Sequence, residues 1–278
     1  MNADQAQAPE WYEGGSGSPL ILLHGFGGTW RMWKPLLPLL ERHHRVLVPT
    51  LPGHTGGLPL DQRASPVSIS EAFAGQLAAR GIRDAHFVGQ SLGGWMVYEM
   101  ARFGFARSSL GLSPAGAWRD SGEIAAFMRK AQGTARLFPV LLPLLKLAVG
   151  PAWLRRKVMA NEMEHAERIP PAEARDALDR LGRMTIAVEY FDEHIQPMRP
   201  LPSDCKVPLR VVWGGSDKIL PFEAYGRPLL DLLRLDSVIV LPGCGHNPVW
   251  DDTPAVAAAI LDFTQEVDAR SPAAMPMA

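Results

Sequence analysis

Ser91 stands in Gly89-Gln90-Ser91-Leu92-Gly93-Gly94, which follows the apolar run His86-Phe87-Val88 and opens onto a helical stretch, residues 95–103. A serine on a sharp strand-to-helix turn holds its hydroxyl out from the sheet edge, with the next backbone N–H directed into the same space. Glycines two residues to either side let neighbouring chain approach closely. A serine hydroxyl is a poor nucleophile until a base takes its proton, so chemistry here requires an imidazole within reach. His246, in Gly243-Cys244-Gly245-His246-Asn247, follows the apolar run 238–241 on a loop whose glycines can place a ring without steric conflict. Asp217 closes Trp213-Gly214-Gly215-Ser216-Asp217 at the end of the run 209–213. A carboxylate there would accept the imidazole Nδ1–H, fix the tautomer and stabilise the imidazolium.

Other residues compete for these roles. His24 and His54 lie in turn sequences and are expected to brace loops, and His86 begins a strand. His43, His44, His165 and His194 are expected to face solvent or an inserted helical segment. Asp192, Asp204, Asp236 and Asp251 are alternatives to Asp217, but none follows an apolar run so directly. Glu162-Met163-Glu164-His165 has metal-ligating residue types, yet no second histidine lies at ligand spacing, and the string reads as a charged helix face. The glycines at 14–17 precede a strand, whereas a phosphate-cradling loop follows one. No metal site and no cofactor are expected.

The elements that must position these residues alternate. Apolar runs at 20–23, 46–48, 87–88, 110–112, 209–213 and 238–241 read as strands covered on both faces. Helical patterns lie between them. Trp30, Trp33, Leu36, Leu37 and Leu40 recur at helical spacing, with Pro35 and Pro38 signalling a break. Ser68 followed by Glu71 predicts a capping box, and Thr253-Pro254 predicts the start of a last helix with Val256, Ile260, Phe263 and Val267 on one side. This alternation implies a doubly wound, mostly parallel sheet, an α/β fold whose ligands bind beyond the carboxyl ends of the strands. From 117 to 200 the alternation gives way to helical clusters, such as Ile124/Phe127/Met128 and Leu178/Leu181/Met184/Val188, and an all-helical insertion of four or five helices is expected.

The 278 residues suit one large domain with an insertion, and 47% apolar residues can fill its core. Twenty-eight basic against 29 acidic residues give a net charge of −1, which excludes a basic field for nucleic acid. Two cysteines are too few for a disulfide framework. The polar amino terminus has no secretory-signal pattern. The longest apolar stretch, 137–149, contains Pro139, Pro143 and Lys146 and is shorter than the roughly 20 residues that span a bilayer. A cytoplasmic protein without stable membrane insertion is expected, as monomer or homodimer.

Four strings, Leu20-Ile21-Leu22-Leu23-His24-Gly25-Phe26-Gly27-Gly28 and those bearing Ser91, Asp217 and His246, all end apolar runs, and the last three fall in the order Ser, Asp, His. In these features the chain resembles the α/β-hydrolase superfamily, in its branch with a helical cap, over roughly 18–267. The resemblance implies a flexible leader (1–17), a core (18–116 and 201–268), a cap (117–200) and a disordered tail (269–278). It implies a Ser91–His246–Asp217 triad and an oxyanion hole made by the N–H groups of Phe26 and Leu92. Trp95, Trp118, Phe127, Phe138 and Trp153 are candidate pocket residues, and an apolar cap suggests an apolar substrate. The implied activity is hydrolysis of carboxylic esters with small to medium, largely apolar acyl groups, through an acyl-enzyme on Ser91. Two alternatives are a carbon–carbon bond hydrolase or lyase using the same triad, favoured if an arginine such as Arg119, Arg129, Arg155 or Arg156 reached toward Ser91, and a ligand receptor without turnover.

Overall fold

A computed structural model describes residues 9–118, 121–190 and 195–270. Residues 1–8 of the expected leader, the tail from 271, and Arg119, Asp192 and His194 lie outside the described residues, as do the side chains of Ile124 and Val188.

Seven strands form one sheet in the order β1-β3-β2-β4-β5-β6-β7: β1 (Trp11–Gly14), β2 (Ser18–Leu23), β3 (His44–Pro49), β4 (Ala85–Gln90), β5 (Ala106–Leu112), β6 (Leu209–Gly214) and β7 (Ile239–Leu241). All pairs are parallel except β1 with β3. The runs of β2, β3, β4 and β6 are apolar at successive positions because alternate residues serve two cores. On β2, Ile21 and Leu23 pack with α2 (Pro66–Ala79) and α3 (Leu92–Arg102) through Phe73, Leu77 and Trp95. Leu20 and Leu22 pack on the other face with α1 (Leu37–Leu40) and α10 (Thr253–Arg270). Val256, Ile260, Phe263 and Val267 of α10 are buried together, as their spacing predicts.

Three local expectations differ from the structure. The sequence reads as a leader to residue 17 in which only residues 10–13 could form a strand; residues 11–14 do form one, the antiparallel edge strand, with Trp11 opposite Pro49. Glu10 pairs with Arg31 and Arg180, and the Arg80 guanidinium lies 4.2 Å from the centre of the Trp11 ring, so tertiary contacts hold the segment in place. Helix α2 is capped by Ser65, whose Oγ accepts the Ser68 N–H while Ser68 Oγ accepts the Ser65 N–H; the box begins three residues before the predicted Ser68. His44 does not face solvent. It is buried at the amino ends of the strands, 2.9 Å from both Ser18 Oγ and Thr264 Oγ1, beside His86, which reaches Ser108 and Asp268.

Between β5 and β6 come α4 (Ser121–Ala148), α5 (Ala152–Val158), a 3-10 turn (Ala166–Arg168), α6 (Pro171–Gly182) and α7 (Ala187–Tyr190), while β5 and β6 remain neighbours in the sheet. The cluster at 124–128 and most of the apolar stretch that begins at 137 belong to one 28-residue helix that runs through Pro139 and Pro143. This helical insertion rests on the loops at the carboxyl ends of the strands. A Cβ on Gly27 would meet Leu181, one on Gly53 would meet Ile186, and one on Gly245 would meet the backbone of Glu162 and Met163. Among the described residues the other α-helices are α8 (Arg227–Leu233) and the short α9 (Pro248–Asp251), with single helical turns at Trp30–Trp33 and Phe222–Gly226.

Candidate active site

Ser91 occupies the turn between β4 and α3 with φ 54° and ψ −111°, a left-handed conformation that costs a non-glycine residue about 1–3 kcal/mol. Its surroundings impose it. Ser91 N–H donates to Leu112 O at 3.0 Å, and Ser91 O accepts from Trp95 N and Ala115 N, each at 3.0 Å. The turn closes so tightly that a Cβ on Gly89 would lie 2.0 Å from Gly93 O, and one on Gly93 would lie 2.1 Å from Leu23 O. Only glycine fits at either position, which gives the motif its steric content.

His246 is buried and contributes its Nδ1–H to Asp217 Oδ2 at 2.8 Å. The other carboxylate oxygen, Oδ1, accepts the N–H groups of Ile219 (2.9 Å) and Leu220 (2.8 Å), so the acid is held from both sides. An ionised carboxylate only accepts, which puts the imidazole proton on Nδ1 and leaves Nε2 as a basic nitrogen. The acid and histidine loops touch directly: a Cβ on Gly214 would lie 2.0 Å from Gly245 O, and Ser216 N–H donates to Cys244 O. Gln90, the residue before Ser91, donates from Nε2 to the His246 carbonyl at 2.9 Å and so ties the histidine loop to the serine turn.

Asp251 accounts for the rest of the histidine loop. This buried carboxylate accepts Gly245 N–H (2.7 Å) and Glu164 N–H (3.1 Å) on Oδ2, and His165 N–H (2.7 Å) on Oδ1. It is therefore not a second partner for His246 but a link between the histidine loop and the insertion. Asn247 N–H donates to Glu162 O at 2.8 Å, and Lys218 donates to Ala160 O at 3.1 Å and pairs with Glu164. The string 162–165, read in the sequence as a charged helix face, is a loop bound to both neighbours of the sheet end, with His165 beside Glu167.

Burial disfavours the charged form of His246, but the Asp217 hydrogen bond, the Asp217 charge and the charge of Glu162 outweigh it, so its pKa lies above the usual histidine value. Glu162 is exposed, while its backbone carbonyl packs on Gly245 and accepts the Asn247 N–H. Desolvation and the Asp217 charge raise its pKa against the opposing pull of His246, and its access to solvent moderates that rise.

The loop after β2 approaches the serine turn: a Cβ on Gly25 would lie 2.2 Å from Gln90 Oε1 and 3.3 Å from Ser91 Cβ. His24 braces it. Nε2 accepts the Leu51 N–H at 2.9 Å and Nδ1 donates to Gly25 O at 2.8 Å, the pattern of a neutral ring. Burial, with repulsion from His54, holds the His24 pKa well below its usual value, and burial takes that of His54 to about 4. Phe26 stacks at 4.6 Å on Tyr190 of the insertion. Leu92 is the first residue of α3, where helix geometry supplies no carbonyl partner for the amide.

Of the five aromatic candidates, Trp95, Trp118 and Phe127 form a chain of rings with successive centroids 5.9 Å apart. Phe138 packs toward Gly182 of α6, and Trp153 is 65% exposed on α5. Sequence reasoning gave Gln90 no role, weighed Asp251 only as an alternative to Asp217, and took Glu162 for part of a charged helix face. Gln90 sits inside the serine motif and Asp251 five residues after His246, which are the only signals the sequence offers for them.

The chain matches the alpha/beta hydrolase family over residues 20–260, and it belongs to that family. Together with the site, this defines a hydrolase of the α/β fold. It is 32% identical to a pimeloyl-[acyl-carrier protein] methyl ester esterase of Vibrio cholerae, over 91% of this chain and 96% of that protein. It is 28% identical to a dihydrolipoyllysine-residue acetyltransferase component of an acetoin cleaving system from Pseudomonas putida, over 95% of this chain and 72% of that one. A thermophilic esterase from Thermogutta terrifontis shares the fold with a TM-score of 0.71 at 21% identity, over 93% of each chain. Among the described residues no helix is long and apolar enough to cross a membrane.

Proposed function

We propose that the chain is a serine hydrolase that cleaves carboxylic esters of small to medium, largely apolar acyl groups through an acyl-enzyme on Ser91. The observation that carries this reading is the positive-φ serine turn joined through Gln90 to a buried histidine whose Nδ1–H is held by Asp217. Ser91 Oγ attacks the ester carbonyl as His246 Nε2 takes its proton. The oxyanion is received by the N–H groups of Leu92 and Phe26, and the imidazolium, steadied by Asp217, protonates the departing alkoxide. Water then attacks the acyl-enzyme with His246 again as base. The insertion acts as a cap, and the Trp95–Trp118–Phe127 rings give an apolar lining that suits the acyl group. The esterase of Vibrio cholerae agrees with this chemistry. For a carbon–carbon hydrolase, an arginine beside Ser91 would be the supporting feature. Arg155 is instead engaged with the carbonyls of Val149, Gly150, Ala166 and Glu167.

A p-nitrophenyl ester series of increasing acyl length tests the reading, run beside fluorophosphonate labelling. Turnover is expected to peak at short to medium chains and fall for long ones, with stoichiometric labelling of the protein. Absence of both turnover and labelling overturns it and leaves the receptor.

The pH profile adds a second check. His246 must be neutral to accept the serine proton, so kcat/KM falls as pH drops through its raised pKa, and the acid limb lies above that of an ordinary histidine. Glu162→Gln removes one of the charges that raise it, so the limb moves to lower pH while folding is retained. A limb that stays in place means that the Glu162 charge does not reach the imidazole.

A further inference from the structure

Residues 124–161 contain no aspartate or glutamate, although the whole chain is nearly balanced at a net charge of −1. Within this stretch Arg129, Lys130, Arg136, Arg156 and Lys157 are exposed. The exposed apolar side chains gather in the same place. Leu137, Val140, Leu141, Leu144 and Leu147 recur at steps of three and four on α4, which puts them within an arc of about 120° at 100° per residue. Val140 is 78% exposed and Leu147 74%. Trp153 and Val158 extend the apolar surface onto α5, with the Lys157 ammonium 5.5 Å from the centre of a Trp153 ring. Elsewhere among the described residues the comparably exposed large apolar side chains are Ile239 and Val240 on the edge strand β7. The inner side of α4 is already occupied, since Phe138 and Leu142 pack on Gly182 of α6.

We propose that this face of the insertion docks on the surface of a bilayer rich in anionic phospholipid. A stripe of leucine and valine with an exposed tryptophan, edged by lysine and arginine, is the composition that lies in a membrane interface: the apolar side chains enter the headgroup–acyl boundary and the cations meet phosphate. Basic side chains beside the stripe can lay their alkyl stems along the surface with the charge outward. A second copy of the chain fits less well, because two such faces brought together would set basic residues against basic residues with no acid from 124–161 between them. Two acids from the segment that follows, Glu167 and Asp179, already lie against Arg156 and Lys146. The face is too short and too interrupted by proline to span a bilayer, so the association is peripheral. Its consequence is an insertion held at the lipid surface, where apolar esters concentrate. Binding itself does not depend on the ester reading.

Flotation of the full chain with phosphatidylcholine vesicles and with mixed phosphatidylcholine–phosphatidylglycerol vesicles reads the binding directly. Strong flotation with the mixed vesicles is expected, with weak flotation on phosphatidylcholine alone and release by high salt. Lys130→Glu combined with Arg136→Glu lowers the affinity by about tenfold or more. Val140→Asp combined with Leu144→Asp brings flotation to background. Both pairs lie on the surface, so the melting temperature and p-nitrophenyl ester turnover in solution report whether each variant is folded. Folded variants that float like the parent, or parent binding equal on both vesicle types, overturn the proposal. So does lipid-free dimerisation that Val140→Asp/Leu144→Asp abolishes, which would assign the face to a second copy. A parent protein that floats but shows no ester turnover counts against the ester reading alone.

Discussion

Ser91→Ala is expected to remove turnover, with kcat falling by about 10⁴- to 10⁶-fold while the protein folds and binds substrate. The large effect follows from the absence of a substitute. The turn holds a single hydroxyl at the sheet edge, and the glycines at 89 and 93 exclude any side chain that might stand in for it. Alanine has no nucleophilic atom, and the residual rate is what binding and the oxyanion donors give to attack by water. Alanine also accepts the φ of 54° about as poorly as serine, and the bonds to Leu112, Trp95 and Ala115 are all made by the backbone, so stability changes little. The measurement is ester hydrolysis with thermal melting as the control. A well-folded Ser91→Ala protein with parental kcat ends the acyl-enzyme mechanism.

Asp217→Asn is expected to lower kcat by about 10⁴-fold with little change in KM. Asp217 Oδ1 accepts two backbone N–H groups, so the amide oxygen of asparagine takes that side and the NH₂ turns toward the imidazole. Facing a donor, His246 must present a lone pair on Nδ1 and carry its proton on Nε2, the nitrogen required as base. The ring keeps its place and loses its function. Asp251 cannot compensate, because both its oxygens are bound to backbone amides of residues 164, 165 and 245. Steady-state kinetics with the labelling rate of a fluorophosphonate decide it: both fall together if the tautomer is the cause, and a parental labelling rate contradicts the assignment.

The central strands could be read from the sequence because a strand covered on both faces is apolar at every position, as in Leu20–Leu23, and few other elements look like that over so short a length. The serine, acid and histidine strings were legible for a related reason: each follows such a run, and strand ends are where a parallel sheet places its loops. What failed was information held in contacts between distant residues. Trp11–Gly14 becomes a strand because β3 offers an edge, Arg80 lies over the Trp11 ring, and Arg31 and Arg180 hold the preceding Glu10. His44 looks like one of two surface histidines after a helix, yet Thr264 and Ser18 receive it in the interior. The start of α2 was displaced because Ser65 and Ser68 both have capping chemistry, and only the chain path selects between them. The aromatic residues of the insertion were ambiguous in the same way, since helical spacing gives a stripe but not its neighbour, and Trp153 ended on the outside.

The carboxylate of Asp251 gathers amides from two segments about eighty residues apart, and Asn247 and Lys218 add their own stitches to the same strip, residues 160–165. The helical insertion is thus not an interchangeable module. Anyone exchanging it with a counterpart from another member of the family to alter selectivity would have to transplant the 242–251 loop with it, or the imported helices would arrive without the fastenings that keep His246 in register.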